Sequence, residues 1–363
     1  MKMKGIARTM PDDEIESIRF RQVVRPLTTT FSTALGHKNN MQSVIVEARL
    51  GDGSKGRGEC ATSFVLPHET PERIKRLLRE EGPRLRGSKA GDFPGVVSAL
   101  REKYPSCPMT VSGLEIALFR AWLAHTARPE SLWFGGVLNR IETDITIPHT
   151  TDENILRPWV GRAARKGFTL YKIKVSGVEA DDKRMIASVT SILDGAQIEY
   201  RLRLDGNQGF SENTCLAFAD YMTSKRYPVE LFEQPLKKDD HRGLRGVTKR
   251  SPIPIILDET VFTARDMEHA AGERLGHGVN IKTAKSGLGE SMAILRLAKK
   301  HGLKVMAGCM TETMTGLSAG INLAMGTGAF DYIDLDSVHF LNHRRQYGEL
   351  VVEGSGYVIG DGE

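Results

Sequence analysis

The stretch Val229-Glu230-Leu231-Phe232-Glu233 is a short apolar run that ends in an acid. Two similar runs lie on either side of it: Leu202-Arg203-Leu204 leads into Asp205, and Ile253-Pro254-Ile255-Ile256-Leu257 leads into Asp258. The acids are 28 and 25 residues apart, about the length of one strand-and-helix unit. This spacing predicts parallel strands of a β/α barrel whose carboxyl ends bring the three carboxylates to one rim.

Three carboxylates that meet at one rim repel one another unless a cation joins them. Oxygen ligands without Cys or His suit a hard ion, so the sequence predicts Mg²⁺ bound by Asp205, Glu233 and Asp258. A lysine pattern precedes the acids, Lys172-Ile173-Lys174, and another follows them, Asn280-Ile281-Lys282. We therefore expect a metal site flanked by two amine bases.

Composition narrows the class of protein. Of the 363 residues, 40% are hydrophobic and 26% are charged, and 50 basic against 45 acidic residues leave a net charge of only +5. This small, dispersed excess does not favour nucleic acid as a partner. No apolar run is long enough to cross a bilayer, and Met1–Met10 is basic but lacks a following apolar segment. Four widely spaced cysteines predict neither disulfides nor zinc, so we expect a cytoplasmic protein with no membrane partner.

Apolar alternation continues on both sides of the acids and predicts eight strands separated by helical patterns. The strands are expected near residues 144–147, 170–175, 200–204, 229–232, 254–257, 279–281, 303–307 and 332–335. Such alternation predicts an α/β fold of the (β/α)₈, TIM-like type. Two extended runs and two helical patterns precede it and indicate an α+β domain. We predict domains at 1–130 and 131–340, and a final segment, 341–363, that returns to the first domain.

Five motifs in this order resemble the enolase superfamily, muconate-lactonizing subgroup. They are Lys172-Ile173-Lys174, Asp205-Gly206-Asn207-Gln208, Glu233-Gln234-Pro235, Asp258-Glu259-Thr260 and Asn280-Ile281-Lys282. The resemblance covers nearly the whole chain and implies that the α+β domain caps the barrel and is completed by the C-terminal segment. It also implies that the three acids bind Mg²⁺ and that Lys174 and Lys282 act as acid and base.

The chemistry of such a site has a simple physical basis. A proton next to a carboxylate is very weakly acidic, and its removal leaves an enediolate whose extra charge a divalent cation stabilises. A free lysine has a pKa of about 10.4, so positive charge from Lys172 and the metal is expected to favour the neutral form of Lys174. Lys172 could also contact the substrate carboxylate. Two lysines on opposite faces of the planar intermediate would invert the carbon.

The sequence Ile333-Asp334-Leu335-Asp336, at the end of the eighth strand, narrows the range of possible substrates. Two acids two positions apart on an extended segment point the same way. In the dipeptide epimerases of this subgroup an Asp-x-Asp at this place binds the substrate ammonium group. Asp334 and Asp336 match it, and Met310 and Thr311 in a further epimerase-like pattern are expected to line the pocket. Asn207 is expected to orient a ligand, whereas Lys285 is interpreted as a solvated residue at a helix start.

One departure concerns the segment between the first two strands, residues 28–40, which looks too long for a tight hairpin and is expected to be a functional loop. Its Phe31-Ser32-Thr33-Ala34-Leu35 resembles the L-Ala-D/L-Glu epimerases, in which the following arginine pairs with the glutamate side chain of the substrate. Here that position is Gly36. We expect Gly36 to contribute to a different substrate pocket with room for a larger side chain, and His37, Lys38 or residues 64–66 to set the preference.

The sequence therefore favours a Mg²⁺-dependent epimerase that inverts the α-carbon of the C-terminal residue of an L,L-dipeptide. Its partner would be a small dipeptide, and a homo-oligomer is compatible with the sequence. Two alternatives remain open at this point. The same scaffold supports a lyase or cycloisomerase, such as o-succinylbenzoate synthase or muconate cycloisomerase, although those substrates lack an ammonium group. The other alternative is a non-catalytic barrel that binds a small molecule.

Overall fold

The structure, a computed structural model, describes residues 12–342 and 346–360. The basic N-terminal stretch Met1–Met10 and parts of the predicted C-terminal segment 341–363 lie outside the described residues. Within the described part, no helix combines the length and the apolar character needed to cross a membrane.

The N-terminal region is an antiparallel sheet covered by helices, as its sequence pattern predicts. The sheet order is β1-β2-β3. The elements are β1 (Ile15–Thr33), β2 (Gly36–Leu50), β3 (Lys55–Ala61), α1 (Pro71–Leu85), a 3₁₀ turn (Ala90–Asp92), α2 (Phe93–Lys103), α3 (Pro108–His125) and α4 (Glu130–Trp133). Helix α3 is buried along most of its length and crosses β3 so closely that a Cβ atom on Gly58 would lie 1.9 Å from the carbonyl oxygen of Gly113.

The prediction of a functional loop at residues 28–40 is wrong. Strands β1 and β2 continue through this segment, and Thr33 pairs with Gly36 across a two-residue turn. Threonine and other β-branched residues favour an extended backbone, and the chain accommodates Pro26 by a register shift between Pro26 and Phe31 rather than by leaving the sheet. The result is a long hairpin that projects beyond the sheet and carries Phe31 and Lys38 to the barrel.

The predicted eight-stranded barrel is confirmed. Its parallel strands follow in sequential order from β5 to β12. They are β5 (Ile145–Ile147), β6 (Leu170–Lys174), β7 (Arg201–Asp205), β8 (Val229–Glu233), β9 (Ile255–Leu257), β10 (Gly278–Lys282), β11 (Lys304–Gly308) and β12 (Tyr332–Asp334). The first and last strands approach each other through a hydrogen bond of 3.3 Å from Asp144 N to Ile333 O.

Helices alternate with these strands and pack on their outer face. They are α5 (Glu153–Arg165), α6 (Glu179–Gly195), α7 (Glu212–Ser224), α8 (His241–Arg250), α9 (Ala264–Gly272), α10 (Thr283–Lys300) and α11 (Met314–Thr327). The apolar strand residues that point outward, such as Ile173, Leu204 and Phe232, are fully buried in one continuous core with these helices. This burial fixes the strand register, so the acids at the strand ends are placed by the packing below them.

The C-terminal strands form a separate antiparallel sheet. Strands β13 (Gln346–Tyr347), β14 (Leu350–Glu353) and β15 (Gly356–Ile359) continue into β4 (Arg140–Glu142), and a 3₁₀ turn covers Ser337–Phe340. This sheet packs on α11, and Tyr347 also lies under the guanidinium group of Arg120 in α3. The predicted strand pair is therefore present and touches both the barrel and the N-terminal region, while the proposed boundaries at residues 130 and 340 stay predictions.

Candidate active site

A cavity of about 770 Å³, including its open mouth, lies between the carboxyl ends of the barrel strands, the β1–β2 hairpin and the loop after β3. Parallel strands present their carboxyl ends at one face of a barrel, where active sites of this architecture are found. The residues that line the cavity include Phe31, Lys38, Phe64, Lys172, Lys174, Asn207, Asp258, Lys282, Lys285, Met310, Thr311, Asp334 and Asp336. Most of the predicted site residues thus meet in one place.

The three predicted metal ligands lie at neighbouring strand ends. In the parallel register Lys174 pairs with Asp205, and Asp205 pairs with Glu233. Asp258 comes directly after β9. All three carboxylates are buried. The register therefore brings three acids to one rim in the way that their spacing predicts.

Lys172 lies among these acids. Its Nζ is 3.1 Å from Asp205 Oδ2, 2.6 Å from Glu233 Oε2 and 2.6 Å from Asp334 Oδ2. Burial alone would lower the pKa of Lys172, but the attraction of the surrounding carboxylates outweighs it and raises the pKa well above the ordinary value. Lys172 therefore stays charged and compensates part of the negative charge of the site.

The two predicted bases also contact acids, on opposite sides of the rim. Lys174 Nζ is 2.5 Å from Asp205 Oδ2, and Lys282 Nζ is 2.6 Å from Asp258 Oδ2. Burial would raise the pKa of Asp205, but Lys174 and Lys172 outweigh it and lower the pKa to about 2. Burial would likewise lower the pKa of Lys282, yet Asp258 and Glu233 raise it above its usual range.

The interpretation of Lys285 as a solvated residue is wrong. Lys285 is 1% exposed, and its Nζ donates to the carbonyl oxygen of Asp258 at 2.5 Å and to Asp258 Oδ1 at 2.6 Å. It also lies 4.8 Å from the centre of the Phe262 ring. Gly287, at a φ of 72°, interrupts α10 where a side chain would collide with Glu115, and Lys285 lies in the short segment before this break.

Glu233 shows that the acids exceed the positive charge available to them. Its burial and the neighbouring Asp205 raise its pKa to about 7, although Lys172 is close. One carboxylate oxygen accepts a hydrogen bond of 2.8 Å from Asn280 Nδ2, and the other lacks a hydrogen bond of acceptable geometry within the described residues. Asn280 was not predicted as a site residue; its position two residues before Lys282 on one strand was the available signal.

Asn207 and Glu259 lie beside the metal ligands. The backbone N–H of Asn207 donates to Asp205 Oδ1 at 3.0 Å, and Asn207 Nδ2 donates to Glu259 Oε1 at 3.3 Å. Burial, followed by repulsion from Asp258, raises the pKa of Glu259 to about 8. Asn207 thus touches two acids, and its orienting role stays a prediction.

A second acid cluster lies at the end of β12. Asp334 and Asp336 are joined by Asp144, which sequence reasoning missed, and their carboxylate oxygens come within 4.8 Å of one another. Asp336 Oδ2 accepts a hydrogen bond of 2.6 Å from Thr146 N, and burial together with Asp334 raises its pKa to about 6. Asp144 is held at 2.8 Å by Arg203. This buried, acid-rich end of the cavity suits a cationic group.

The hairpin end of the cavity differs from its prediction at one residue. Met310 and Thr311 line the cavity, but Gly36 does not. A Cβ atom on Gly36 would lie 3.4 Å from the Phe64 ring, and its φ of 149° disfavours any side chain. Phe64 therefore fills the space that the glycine was expected to open. Lys38, two residues further along β2, reaches the cavity instead.

Comparison with known proteins agrees with this geometry. Residues 156–362 match the family described as enolase C-terminal domain-like. The chain therefore belongs to this family. A relative from Herpetosiphon aurantiacus, named aromatic dipeptide epimerase, is 30% identical over 96% of each chain.

Two solved structures with bound ligands are similar over nearly the whole chain. One is a substrate-liganded complex of the L-Ala-D/L-Glu epimerase from Bacillus subtilis, with a TM-score of 0.89, 27% identity and coverage of 95% of this chain and 96% of that one. The other is a dipeptide epimerase from Enterococcus faecalis complexed with Mg and L-Leu-L-Tyr, with a TM-score of 0.87, 25% identity and coverage of 96% and 98%.

Proposed function

We propose that this protein is a Mg²⁺-dependent dipeptide epimerase that inverts the α-carbon of the C-terminal residue. The observation that carries the proposal is the placement of two lysines on opposed strands around an acid-rich cavity. Lys174 ends β6 and Lys282 ends β10, four places apart in an eight-stranded barrel. The names of the relatives, which act on dipeptides, support the same activity.

The donor set fits magnesium. Asp205, Glu233 and Asp258 offer only oxygen atoms, and Glu233 retains a buried oxygen without a well-formed hydrogen bond in the described structure. A divalent cation would offset both the burial and the repulsion from Asp205 that raise the pKa of Glu233. When bound, Mg²⁺ would supply positive charge to the substrate carboxylate and to the charge that develops on it during proton removal. The Mg-containing structure of the Enterococcus faecalis relative supports this assignment.

The two lysines would move the proton. One lysine in its neutral form removes the α-proton from one face of the substrate, and the other, as an ammonium group, delivers a proton to the opposite face. Lys172 would contact the substrate carboxylate from the acid cluster, where the neighbouring carboxylates of Glu233 and Asp334 keep its amine charged. Because the planar intermediate is symmetric with respect to the two bases, the same residues serve both directions.

The second acid cluster would bind the ammonium group of the dipeptide. Asp334 and Asp336 lie at the end of β12, on the far side of Lys172 from the metal ligands, and both line the cavity. Met310 and Thr311 border this end. Lyase or cycloisomerase substrates without an ammonium group would bring no positive charge to this acid pair, which then has only the contact of Lys172 with Asp334, and this disfavours that alternative. Four free cysteines, three of them buried, support a reducing, cytoplasmic location.

The test is proton exchange in D₂O. The protein would be incubated with Mg²⁺ and a panel of L-Ala-L-Xaa dipeptides, and NMR would follow the α-proton of the C-terminal residue and the appearance of the L,D product. We expect both deuterium incorporation and inversion. If no dipeptide in the panel exchanges its α-proton, the protein is not a dipeptide epimerase.

Single-lysine variants test the two-base arrangement. Lys174→Ala and Lys282→Ala should each lower inversion by about 10²–10⁴-fold, since each removes one proton-transfer group. The lysine that remains can still exchange the α-proton of the diastereomer that it faces. We therefore expect one variant to exchange only the L,L-dipeptide and the other only the L,D-dipeptide. Lys249→Ala, at an exposed position of α8, is the matched control.

A further inference from the structure

Two histidines face each other on successive helices outside the barrel. His241 is the first residue of α8, and His269 lies in α9. The distance between His241 Nδ1 and His269 Nε2 is 3.3 Å, and the centres of the two rings are 5.1 Å apart. The pair is not part of the site proposed for the epimerase reaction.

The geometry of the pair differs from that of a straight hydrogen bond. Most N–H hydrogen bonds measure about 2.7–3.2 Å between their heavy atoms, slightly less than the separation found here. An imidazole nitrogen lies about 1.15 Å from the centre of its ring, so a straight N–H···N contact of this length would place the ring centres about 5.6 Å apart. The observed distance of 5.1 Å is shorter, so the rings are bent away from the line that joins the two nitrogens.

This bend fits two rings that are directed at one metal ion. Zinc binds imidazole nitrogen at about 2.0–2.1 Å in tetrahedral geometry, which sets two such nitrogens about 3.3–3.4 Å apart and their ring centres about 5.2 Å apart. The pair agrees with both values to about 0.1 Å. The two side chains therefore need almost no rearrangement to bind an ion, once each presents the lone pair of the stated nitrogen.

The surroundings of the pair leave room for such an ion. Both histidines line a cavity of about 1350 Å³, including its open mouth. Glu259 and Phe262 line this cavity and the active-site cavity alike, so the two are neighbours. The described residues contain no third imidazole, carboxylate or thiol that completes a ligand cluster with the pair. Water would therefore fill the remaining coordination positions.

We propose that His241 and His269 bind a divalent transition-metal ion of the zinc and copper class. Imidazole nitrogen suits such ions, whereas Mg²⁺ prefers oxygen, so this site is chemically distinct from the carboxylate site at the barrel rim. Because the histidines belong to α8 and α9, the ion would cross-link two successive helices. The site does not depend on the proposed epimerase function.

The first experiment measures metal binding by calorimetric titration of the protein without an affinity tag. Excess Mg²⁺ is present to occupy the carboxylate site. Zn²⁺ should bind, and Cu²⁺ should bind more tightly than Zn²⁺, in the order expected for nitrogen ligands. His241→Gln and His269→Gln should each weaken binding by at least roughly 10–100-fold, a loss already caused by changing a mere hydrogen-bond partner of a metal ligand. His125→Gln, in α3 beside Asp52, is the matched control and should bind as the parent does.

Electron paramagnetic resonance of the Cu²⁺ complex, again in excess Mg²⁺, identifies the ligands. The parent should show hyperfine splitting from two imidazole nitrogens, and each single variant should lose at least one of them. His269 is exposed and His241 is partly exposed, so thermal unfolding without added Zn²⁺ or Cu²⁺ should be close to that of the parent in both variants. Failure of both ions to bind, nitrogen signals that persist unchanged in the variants, or an equal loss in His125→Gln would overturn the proposal.

Discussion

Lys172 illustrates how a buried residue can compensate a charged site. Its ammonium group contacts three carboxylates that belong to two different clusters, Asp205 and Glu233 on one side and Asp334 on the other. If one member of such a buried group is removed, the charges that remain lose their compensation. The protein is then less stable than one in which apolar residues replace the whole group. The two clusters therefore depend on one residue.

This dependence makes a prediction about stability and magnesium. Lys172→Met should lower the free energy of unfolding in EDTA by about 3–5 kcal/mol, because the three acids then face one another. The variant should also gain more stability from Mg²⁺ than the unmodified protein does, since the cation replaces the missing charge. Thermal unfolding with and without Mg²⁺ measures both effects, with Lys249→Met as the control. A variant as stable as its parent in EDTA would show that Lys172 does not compensate the acids.

The acid pair at the end of β12 makes a prediction about substrate binding. Asp334→Asn should raise KM for a free dipeptide by roughly 10–100-fold, because a charged hydrogen bond to the ammonium group becomes a neutral one. An N-acetylated dipeptide lacks that ammonium group, so the substitution should change its KM little. Steady-state kinetics with the two substrates decides the matter. An equal loss for both would mean that Asp334 acts through the fold and not through the ammonium group.

Sequence reasoning placed most of the candidate site but missed residues that depend on distant contacts. Asp205 and Glu233 could be predicted because each ends an apolar run, and Lys174 because its lysine pattern falls at the end of a strand. The strand register then brings the three together. Lys285 could not be predicted, because its contacts are with Asp258, which lies more than twenty residues away in the chain. Asp144 lies before a strand and gave no signal of its own.

At the level of secondary-structure elements, the β1–β2 hairpin shows where pattern reasoning fails. Its thirteen-residue segment 28–40 looks too long for a tight hairpin, which predicts a loop. Strand pairing satisfies the backbone there, with Phe31 opposite Lys38 and Thr33 opposite Gly36, and the projecting hairpin packs on the barrel through Phe31 and Phe340. Such packing is a tertiary effect, so the sequence around the segment does not reveal it.

The connection between β11, β12 and α10 makes a prediction that depends on pH. Asp331 accepts hydrogen bonds of 2.8 Å from both Lys299 and Lys304 and one of 2.9 Å from Val305 N. Partial burial alone would raise its pKa, but these contacts outweigh it and lower the pKa to about 2. Asp331→Asn should therefore destabilise the protein by about 1 kcal/mol at pH 7, a value reduced for solvent screening.

The sign of the pH effect follows from the lowered pKa. The contribution of Asp331 is fully present above the pKa of an unfolded aspartate, about 3.9, and is lost as the pH falls through the folded value. The difference between parent and variant should thus shrink to about half by pH 3. Urea unfolding at pH 7, 4 and 3 tests this. A difference that stays constant with pH would mean that the amide disturbs packing and that the charge of Asp331 is unimportant.

At the level of the whole molecule, the cavity exists only because the capping domain is fixed on the barrel. Helix α3 makes this connection: Ser112 Oγ donates to the carbonyl oxygen of Thr283 at 2.5 Å, and Arg120 donates to that of Thr315 at 2.6 Å. Glu59 of β3 accepts hydrogen bonds at the start of α11, including one of 3.0 Å from Gly316 N. Individual polar residues on a helix do not reveal such partners, so this attachment could not be predicted.

Arg120 has several further partners on both sides of this connection, so its replacement should weaken the attachment. Besides Thr315, it donates to the carbonyl oxygen of Arg57 at 3.0 Å and to Ser318 Oγ at 2.8 Å, and it forms a two-pronged ion pair with Glu130 at 2.7 and 3.2 Å. Arg120→Met should therefore lower the free energy of unfolding by about 3–5 kcal/mol, because Glu130 and several hydrogen-bond acceptors lose their donor in a largely buried place. Urea unfolding followed by two probes, one in each domain, would measure this loss.

A paired variant separates the charge from the other contacts of Arg120. Arg120→Met combined with Glu130→Gln removes the stranded carboxylate, so it should be more stable than Arg120→Met alone by about 1–2 kcal/mol. Both variants should weaken the attachment of α3 to α11, and unfolding of the capping domain ahead of the barrel is the expected sign. A single transition with unchanged midpoint in Arg120→Met would show that apolar packing alone, and not this ion-pair network, fixes the capping domain over the cavity.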